Sequence, residues 1–239
     1  VMNTDNMALS GETIDYGPCA FMDNYNLNTV FSSIDRGGRY AYGNQPKIAQ
    51  WNIARLIEAL IPLINDDENK SIEIGNELIN SFSGLYQNKW LEMMKSKLGL
   101  TGTSEEDKNL IDDLLTWMEN NNADYTNTFI YLGKEKQPCK GIYKKEDFKD
   151  WYKRWKKRLI KNKTSFKDSL DEMNLKNPQI IPRNHKVEEA LNAANNNDLN
   201  PLNNLLELLK YPYKENPKNS PYQDPPTSEQ RVKETFCGT

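Results

Sequence analysis

The sequence predicts a mainly α-helical protein that begins with a small β-hairpin. From Pro46 onward, apolar residues recur at helical spacing. Residues 1–46 differ, because they hold five of the twelve glycines and short β-favouring pieces between turn signals. From Tyr211 the chain is rich in Pro, Asn and Lys, which favours an extended tail. We therefore expect three segments: 1–46 with the hairpin and a long loop, the helical part 47–210, and the Pro-rich tail 211–239.

The predicted hairpin pairs Met7–Leu9 with Thr13–Ile14 across a turn at Ser10–Glu12. Asp15 and the Tyr-Gly-Pro that follows it end the second strand, because Gly and Pro interrupt regular structure. Residues 24–45 are then expected to form an irregular, well-anchored loop.

The helices are predicted from the spacing of apolar residues. Pro46 suits the first turn of the first helix, where its missing N–H is not needed. The apolar stripe of that helix is predicted to consist of Ile48, Trp51, Leu56, Leu60 and Ile64. Ser104 to Asp107 resembles a capping box that would begin a further helix. The other helices are predicted at about 71–98, 104–118, 124–132, 145–160, 186–195 and 201–210.

Composition excludes several classes of function. The 31 Lys and Arg nearly balance the 34 Asp and Glu, so a chain-wide field for nucleic acid or membranes is not expected. No apolar run approaches the ~20 residues that a membrane span needs. The single histidine, His185, excludes a two-histidine metal site, and the three widely spaced cysteines contain no C-x-x-C pair for structural zinc.

A basic segment at 144–163 has two interpretations. It holds ten Lys or Arg and three acidic residues, and a basic face with interleaved aromatic residues can bind RNA or an acidic partner. Trp151, Trp155 and Leu159 recur at every fourth position, which is also typical of a core-facing stripe beneath a solvated face. We favour the core-facing stripe, and we expect no nucleic-acid partner and no membrane partner.

Three polar residues near the N-terminus carry the candidate chemistry. Asp5 and Asn6 are followed, nine residues after Asn6, by Asp15 in Asp-Tyr-Gly. A hairpin between them would bring Asn6 and Asp15 to one point, where an amide oxygen and a carboxylate suit Mg²⁺. Asp5 would then be free to accept a proton, as in kinase-type phosphoryl transfer. Such Asp-Asn and Asp-x-Gly pairs are also common turn formers, so the pattern alone leaves a plain turn as the alternative.

The first 23 residues, VMNTDNMALSGETIDYGPCAFMD, resemble the catalytic segment of the selenoprotein O family of pseudokinase-fold protein adenylyltransferases. The resemblance continues in DRGGRYAYGNQPKIAQWNIARLIEALIPLI, EEDKNLIDDLL, DYTNTF, NPQIIPRNHKVEEALNAA, LLELLKYPY and the closing FCGT. It covers nearly the whole chain, which would correspond to the C-terminal half of a family member. Because the chain opens directly on the motif, we expect it to be the C-terminal portion of a longer protein.

The resemblance implies a protein-kinase-like C-lobe with a helical C-terminal extension. It also implies transfer of AMP from ATP to Ser, Thr or Tyr hydroxyls of proteins, redox proteins among them, with Mg²⁺ or Mn²⁺. By the same match, Asp5 is the proton acceptor, Asn6 and Asp15 are metal ligands, and Asp15 also contacts the nucleotide. The family's nucleotide-clamping residues lie upstream of Val1, so this chain alone is expected to be inactive or nearly so.

The resemblance extends to a redox residue. Cys237 lies in the tail region where some members of the family place selenocysteine, which makes it the candidate redox residue. Some relatives carry a cysteine in the loop at about 29–35, where this sequence has Phe31, and this departure puts a redox link to Cys237 in doubt.

The family implies a mitochondrial location for a eukaryotic member and a cytoplasmic one for a bacterial member. The alternative function that the sequence leaves open is a non-catalytic helical module, which would bind a protein partner through the basic helix at 145–160.

Overall fold

The computed structural model describes residues 1–12, 20–136, 140–216, 218 and 220–236. These residues are largely helical and include no β-strand, although an isolated antiparallel bridge joins Asn24 and Asp124. The helical part of the predicted fold class is therefore confirmed, and the N-terminal hairpin is not.

The helices follow the predicted order along the chain, with one addition. They are α1 (Gln45–Ile64), α2 (Glu68–Lys97), α3 (Glu106–Asn120), α4 (Tyr125–Leu132), α5 (Glu146–Ile160), α6 (Phe166–Lys176), α7 (Asn184–Asn195), α8 (Asn200–Leu209) and the short α9 (Ser220–Gln223). Single 3-10 turns lie at Thr4–Asn6, Tyr42–Asn44 and Gly141–Lys144. Among the longer helices, α6 has no counterpart in the sequence prediction.

The predicted N-terminal hairpin is wrong. The chain forms the 3-10 turn at Thr4–Asn6, and then a tight turn in which the N–H of Gly11 donates to the Ala8 carbonyl over 3.0 Å. The partner segment Thr13–Ile14 lies outside the described residues. Leu9 is 87% exposed, so the segment buries no apolar face that could stabilise an isolated two-stranded ribbon.

The chain divides into two compact units. Unit 1 comprises Val1–Cys19, Leu27–Leu91 and Glu234–Thr239. Unit 2 comprises Ala20–Asn26 and Glu92–Lys233. The residues of the candidate active site at the N-terminus therefore belong to unit 1, whereas the segment that follows the Asp-Tyr-Gly motif belongs to unit 2.

In unit 1, α1 and α2 approach each other closely. A Cβ atom added to Gly75 would lie only 2.7 Å from Cγ2 of Ile57, which is shorter than any ordinary carbon contact. The Gln50 side chain donates from Nε2 to the Ile79 carbonyl at 2.9 Å, which ties the two helices together at the same level. The missing side chain at Gly75 is what permits this approach.

The predicted apolar stripe of α1 is wrong for most of its members. Ile48 is buried, but Trp51, Leu56 and Leu60 are 43%, 38% and 39% exposed. The buried position one turn after Ile48 is taken by Asn52, which is only 5% exposed. The inward face of α1 thus carries a polar residue, and this residue reaches the N-terminal turn described below.

The loop that precedes α1 is ordered by local hydrogen bonds. The Asp35 carboxylate accepts from the backbone N–H groups of Arg39 and Tyr40, each at 2.8 Å. The Asn44 side chain donates from Nδ2 to the Gly38 carbonyl, also at 2.8 Å. These bonds satisfy backbone groups in a long irregular segment, as the packing of such a loop requires.

The C-terminal segment contacts the same loop in unit 1. The Thr235 hydroxyl donates to the Phe31 carbonyl at 2.9 Å, and the Thr235 carbonyl accepts from the Ser33 N–H at 2.7 Å. The tail therefore binds the loop at the position where the sequence has Phe31 in place of a cysteine.

Aromatic residues dominate the core of unit 2, where α3 packs against α5. Nε1 of Trp151 donates to the Leu110 carbonyl at 2.8 Å, and Nε1 of Trp155 donates to the Leu98 carbonyl at 2.9 Å. Both indole N–H groups are thus satisfied inside the core. Trp151, Trp155 and Leu159 are at most 3% exposed, so the core-facing stripe that we favoured for the basic segment is confirmed.

The predicted capping box at Ser104 is wrong. Asp107 is buried, and its carboxylate accepts from Nε and Nη2 of Arg158 at 2.6 and 3.1 Å. A complete capping box instead begins α6, where the Ser165 hydroxyl and the Asp168 carboxylate each accept from the other's backbone N–H. The Ser-x-x-Asp pattern occurs at both places, and a buried ion pair takes the aspartate of the first.

A lysine is buried among aromatic rings in unit 2. Nζ of Lys97 donates to Oδ1 of Asn177 at 2.8 Å and lies 4.3 Å from the ring centroid of Phe129. Burial lowers the pKa of Lys97 to about 8, while the ring face favours the charged amine.

Candidate active site

Asp5 and Asn6 lie on the exposed 3-10 turn Thr4–Asn6 at the start of unit 1. The turn is closed by the Asn6 N–H, which donates to the Asn3 carbonyl at 3.0 Å. The Asn6 side chain donates from Nδ2 to the Val1 carbonyl at 2.9 Å. This second bond fixes the orientation of the Asn6 amide.

Both side chains present oxygen atoms that no other described residue engages. The Asp5 carboxylate has no hydrogen bond or ion pair among the described residues, and Oδ1 of Asn6 has none either. Of the two predicted metal ligands, Asn6 is the one that the structure describes, and an amide oxygen is a hard donor of the kind that Mg²⁺ or Mn²⁺ accepts.

A side chain of α1 bonds to residues on both sides of this turn, to the backbone of Met2 and to the side chain of Met7. Nδ2 of Asn52 donates to the Met2 carbonyl at 2.9 Å and to the sulfur of Met7. Sequence reasoning missed Asn52, although a signal was present. A polar residue four positions after buried Ile48 lies on the inward face of a helix, where a polar side chain needs a specific partner.

Asp15 lies outside the described residues, and so do Cys19, Cys139 and Cys237. The structure therefore does not place Asp15 beside Asn6, and the shared metal site remains a prediction. The redox role of Cys237 remains a prediction for the same reason. The described segments contain no cluster of three or more His, Cys, Asp or Glu side chains that could hold a metal ion.

The segment after the Asp-Tyr-Gly motif is anchored within unit 2. The Tyr25 N–H donates to the Ala123 carbonyl at 2.9 Å, and the Tyr125 N–H donates to the Asp23 carbonyl at 2.8 Å. Nearby, the Phe21 N–H donates to Oδ1 of Asn184 at 3.1 Å. These bonds attach residues 20–26 to the starts of α4 and α7.

A buried ion-pair cluster reinforces the same junction. Nη1 of Arg183 donates to the Asp23 carboxylate, and Nη1 and Nη2 donate to the two oxygens of Asp124 at 2.8 and 3.1 Å. Asp124 also caps α4 by accepting from the Asn127 N–H at 2.8 Å. Desolvation raises the pKa of Asp124 above its usual range, and the hydrogen bond and charge of Arg183 oppose this rise. Sequence reasoning placed the start of this helix at position 124 but missed the roles of Asp23 and Arg183.

This cluster joins three of the runs in which the sequence shows its resemblance. Asp23 ends the first run, Asp124 begins DYTNTF, and Arg183 lies in NPQIIPRNHKVEEALNAA. Segments far apart in sequence thus pack against one another at this junction.

Comparison with known proteins agrees with the resemblance seen in these runs. A sequence profile described as "Protein adenylyltransferase SelO" matches residues 1–210. The chain belongs to the SelO family. The resemblance inferred from the catalytic segment is therefore confirmed, and it extends through α8.

Curated bacterial relatives match the whole chain. The proteins named "Protein nucleotidyltransferase YdiU" from Nitrosococcus oceani, Pelagibacter ubique and Bacillus cereus strain G9842 are 53%, 52% and 51% identical to it. Each alignment covers 100% of this chain and 49%, 50% and 49% of the relative, respectively. The chain thus spans about half the length of the curated relatives that it matches. In the part of the chain that the structure describes, every helix is too short or too polar to cross a membrane.

Proposed function

We propose that the protein containing this chain is an adenylyltransferase that transfers AMP from ATP to Ser, Thr or Tyr hydroxyls of other proteins. Membership of the SelO family supports the reaction class. The observation that carries the proposal is the exposed turn at Thr4–Asn6, whose consecutive residues Asp5 and Asn6 carry a carboxylate and an amide oxygen that no described residue engages.

In this reaction Asp5 accepts the proton of the acceptor hydroxyl. The hydroxyl oxygen forms a bond to the α-phosphorus of ATP, the bond between that phosphorus and the bridging oxygen to the β-phosphate breaks, and pyrophosphate leaves. Asn6 and Asp15 would hold Mg²⁺ or Mn²⁺ through their oxygen atoms, and the ion would neutralise charge on the nucleotide phosphates.

The test of the base uses the intact protein incubated with ATP, Mg²⁺ and acceptor protein. Mass spectrometry would detect the addition of one AMP to the acceptor. Asp5→Asn should lower the rate by about 10²–10⁴-fold, the usual contribution of a general base. Asp112→Asn is the matched control, because it makes the same substitution on the exposed face of α3 and should leave the rate unchanged.

The metal role has its own test. Asn6→Ala should raise the Mg²⁺ concentration for half-maximal activity by roughly tenfold or more, and added Mg²⁺ should restore part of the rate. Asp15→Ala should lose activity at every Mg²⁺ concentration. Retention of full transfer activity by either Asp5→Asn or Asp15→Ala would contradict the roles assigned to these residues, and the absence of AMP transfer by the unaltered protein would contradict the proposed function itself.

A further inference from the structure

One buried side chain of α1 bonds to residues on both sides of the turn that carries Asp5 and Asn6. Asn52 on α1 is 5% exposed, and its Nδ2 uses one hydrogen for the Met2 carbonyl and the other for the sulfur of Met7. Met2 and Met7 bracket the 3-10 turn. One amide therefore bonds to the Met2 backbone and to the Met7 side chain, which lie on the two sides of the candidate site residues.

The other hydrogen bonds of the turn are local. Among the described residues, Asn6 bonds only to Val1 and Asn3. The only side-chain hydrogen bonds that join residues 1–12 to the rest of the described chain are the two made by Asn52. A single 3-10 turn has little stability of its own, because its hydrogen-bond geometry is poor and few bonds reinforce it. The position of the turn in the fold thus depends on Asn52.

The environment of Asn52 also shows that the amide is used as a donor. Its Oδ1 atom is buried and has no partner among the described residues. Turning the amide over would place Oδ1 against the Met2 carbonyl oxygen, so only the observed orientation makes bonds. An unpaired buried oxygen is unfavourable, and a leucine of similar size would avoid it. The stability of α1 therefore gives no reason for an amide here, whereas the anchoring of the turn does.

We infer that Asn52 is a positioning residue for Asp5 and Asn6. It makes no hydrogen bond to either side chain among the described residues, but it holds the Met2 backbone before the turn and the Met7 side chain after it. The catalytic consequence rests on the proposed function; the anchoring does not. Because proton transfer and metal binding require correct placement to within about an ångström, loss of the anchor should slow the chemical step more than it weakens nucleotide binding.

The first experiment measures the anchor directly, without activity. Hydrogen exchange of the Asn6 amide is followed in the intact protein with Asn52→Leu and with Asn52→Asp, which keeps the size but removes the donor. Both variants should exchange roughly fivefold faster or more, the factor for loss of one hydrogen bond. Met7→Leu removes only the sulfur acceptor and should give a smaller acceleration, which tests the anchor with the α1 residue intact.

Gln50→Leu is the matched control. Gln50 lies on the same helix and makes the same kind of amide-to-carbonyl bond at 2.9 Å, but to Ile79 of α2. It should leave exchange at Asn6 unchanged. Unchanged exchange at Asn6 in both Asn52 variants, or equal acceleration in Gln50→Leu, would overturn the inference.

The second experiment measures the catalytic consequence in the intact protein. At saturating Mg²⁺, Asn52→Asp should lower kcat for AMP transfer by roughly 10–100-fold while the KM for ATP changes less than about threefold. Gln50→Leu should change neither. A rise in the KM for ATP with unchanged kcat would overturn the positioning role. If the unaltered protein transfers no AMP, the proposed function fails, and hydrogen exchange alone still decides whether Asn52 anchors the turn.

Discussion

Replacement of Arg183 by Met should destabilise the protein strongly, because it leaves two carboxylates without their cation. The Arg183 side chain is 1% exposed and donates to Asp23 and to both oxygens of Asp124. The side chains of Asp23 and Asp124 are 19% and 8% exposed, respectively. Removing one partner of a buried ion pair costs about 3–5 kcal/mol, since the remaining charge is desolvated and unpaired. The loss should appear in urea unfolding followed by far-ultraviolet circular dichroism.

The control for this variant is Arg154→Met. Arg154 also pairs with an aspartate, Asp113, at 2.6 Å, but both side chains are more than half exposed. An exposed pair contributes only about 0–1 kcal/mol, so this variant should lie close to the unaltered protein. The difference between the two methionine variants therefore isolates the effect of burial at the same kind of contact.

The deficit of Arg183→Met should also depend on pH. Arg183 lowers the pKa of Asp124, and desolvation raises it, so removing Arg183 raises that pKa further above its ordinary value of 3.8. A carboxyl whose folded pKa is raised loses stability as pH rises from its unfolded pKa through its folded pKa. The loss of stability should thus be largest at about pH 7 and smaller at a mildly acidic pH, because protonation of Asp124 removes the unpaired charge.

A double variant completes the argument. Asp124→Asn removes one of the stranded charges and keeps a side chain that caps a helix well, so combining it with Arg183→Met should recover about 1–3 kcal/mol. This explanation of the ion-pair cluster is refuted if Arg183→Met loses no more stability than Arg154→Met. It is also refuted if the loss for Arg183→Met is the same at both pH values and the double variant recovers none of it.

Two further predictions concern unit 2. Below its lowered pKa of about 8, the charged amine of Lys97 opposes folding. The free energy of unfolding of the unaltered protein, compared with that of Lys97→Met, should therefore rise by at most about 3 kcal/mol as the pH increases toward 10.5. A difference between the two proteins that does not change with pH would contradict this prediction. Gly99 and Gly102 both have positive φ, +66° and +67°, but a Cβ at Gly99 would lie 2.8 Å from the Ser169 carbonyl oxygen, whereas Gly102 faces open space. Gly99→Ala should therefore cost about 1–3 kcal/mol more than Gly102→Ala in urea unfolding, and equal losses would contradict the packing argument.

The sequence predicted most of the helices, because long stretches with apolar residues at helical spacing leave few alternatives. It missed α6, whose Ser165–Asp168 capping box matches the pattern assigned instead to Ser104–Asp107. The two patterns are locally equivalent, and the choice between them depends on Arg158, which lies 51 residues from Asp107 in the chain and pairs with it in the core. Local sequence does not contain that information.

The hairpin prediction failed for a related reason. Ser10 and Gly11 do form a turn, with Gly11 at a φ of +72°, so the local chemistry of the turn was correctly predicted. A β-ribbon additionally needs an apolar face packed on something, and exposed Leu9 has none. The chain therefore turns at the expected place without forming the first strand of a ladder.

The residues of the candidate active site also differ in whether the sequence alone predicts them. Asp5 and Asn6 were predicted because their chemistry depends on residue type and order, which the sequence displays directly. Asn52 was not predicted, because its contacts to Met2 and Met7 span 50 and 45 residues and only the folded backbone brings them together. The candidate side chains of Asp5 and Asn6 are exposed, and their carboxylate and amide oxygens have no partner among the described residues, while Asn52 is buried and bonded. This separation is what a preorganised site requires, since groups that react must stay free and the backbone that aims them must not.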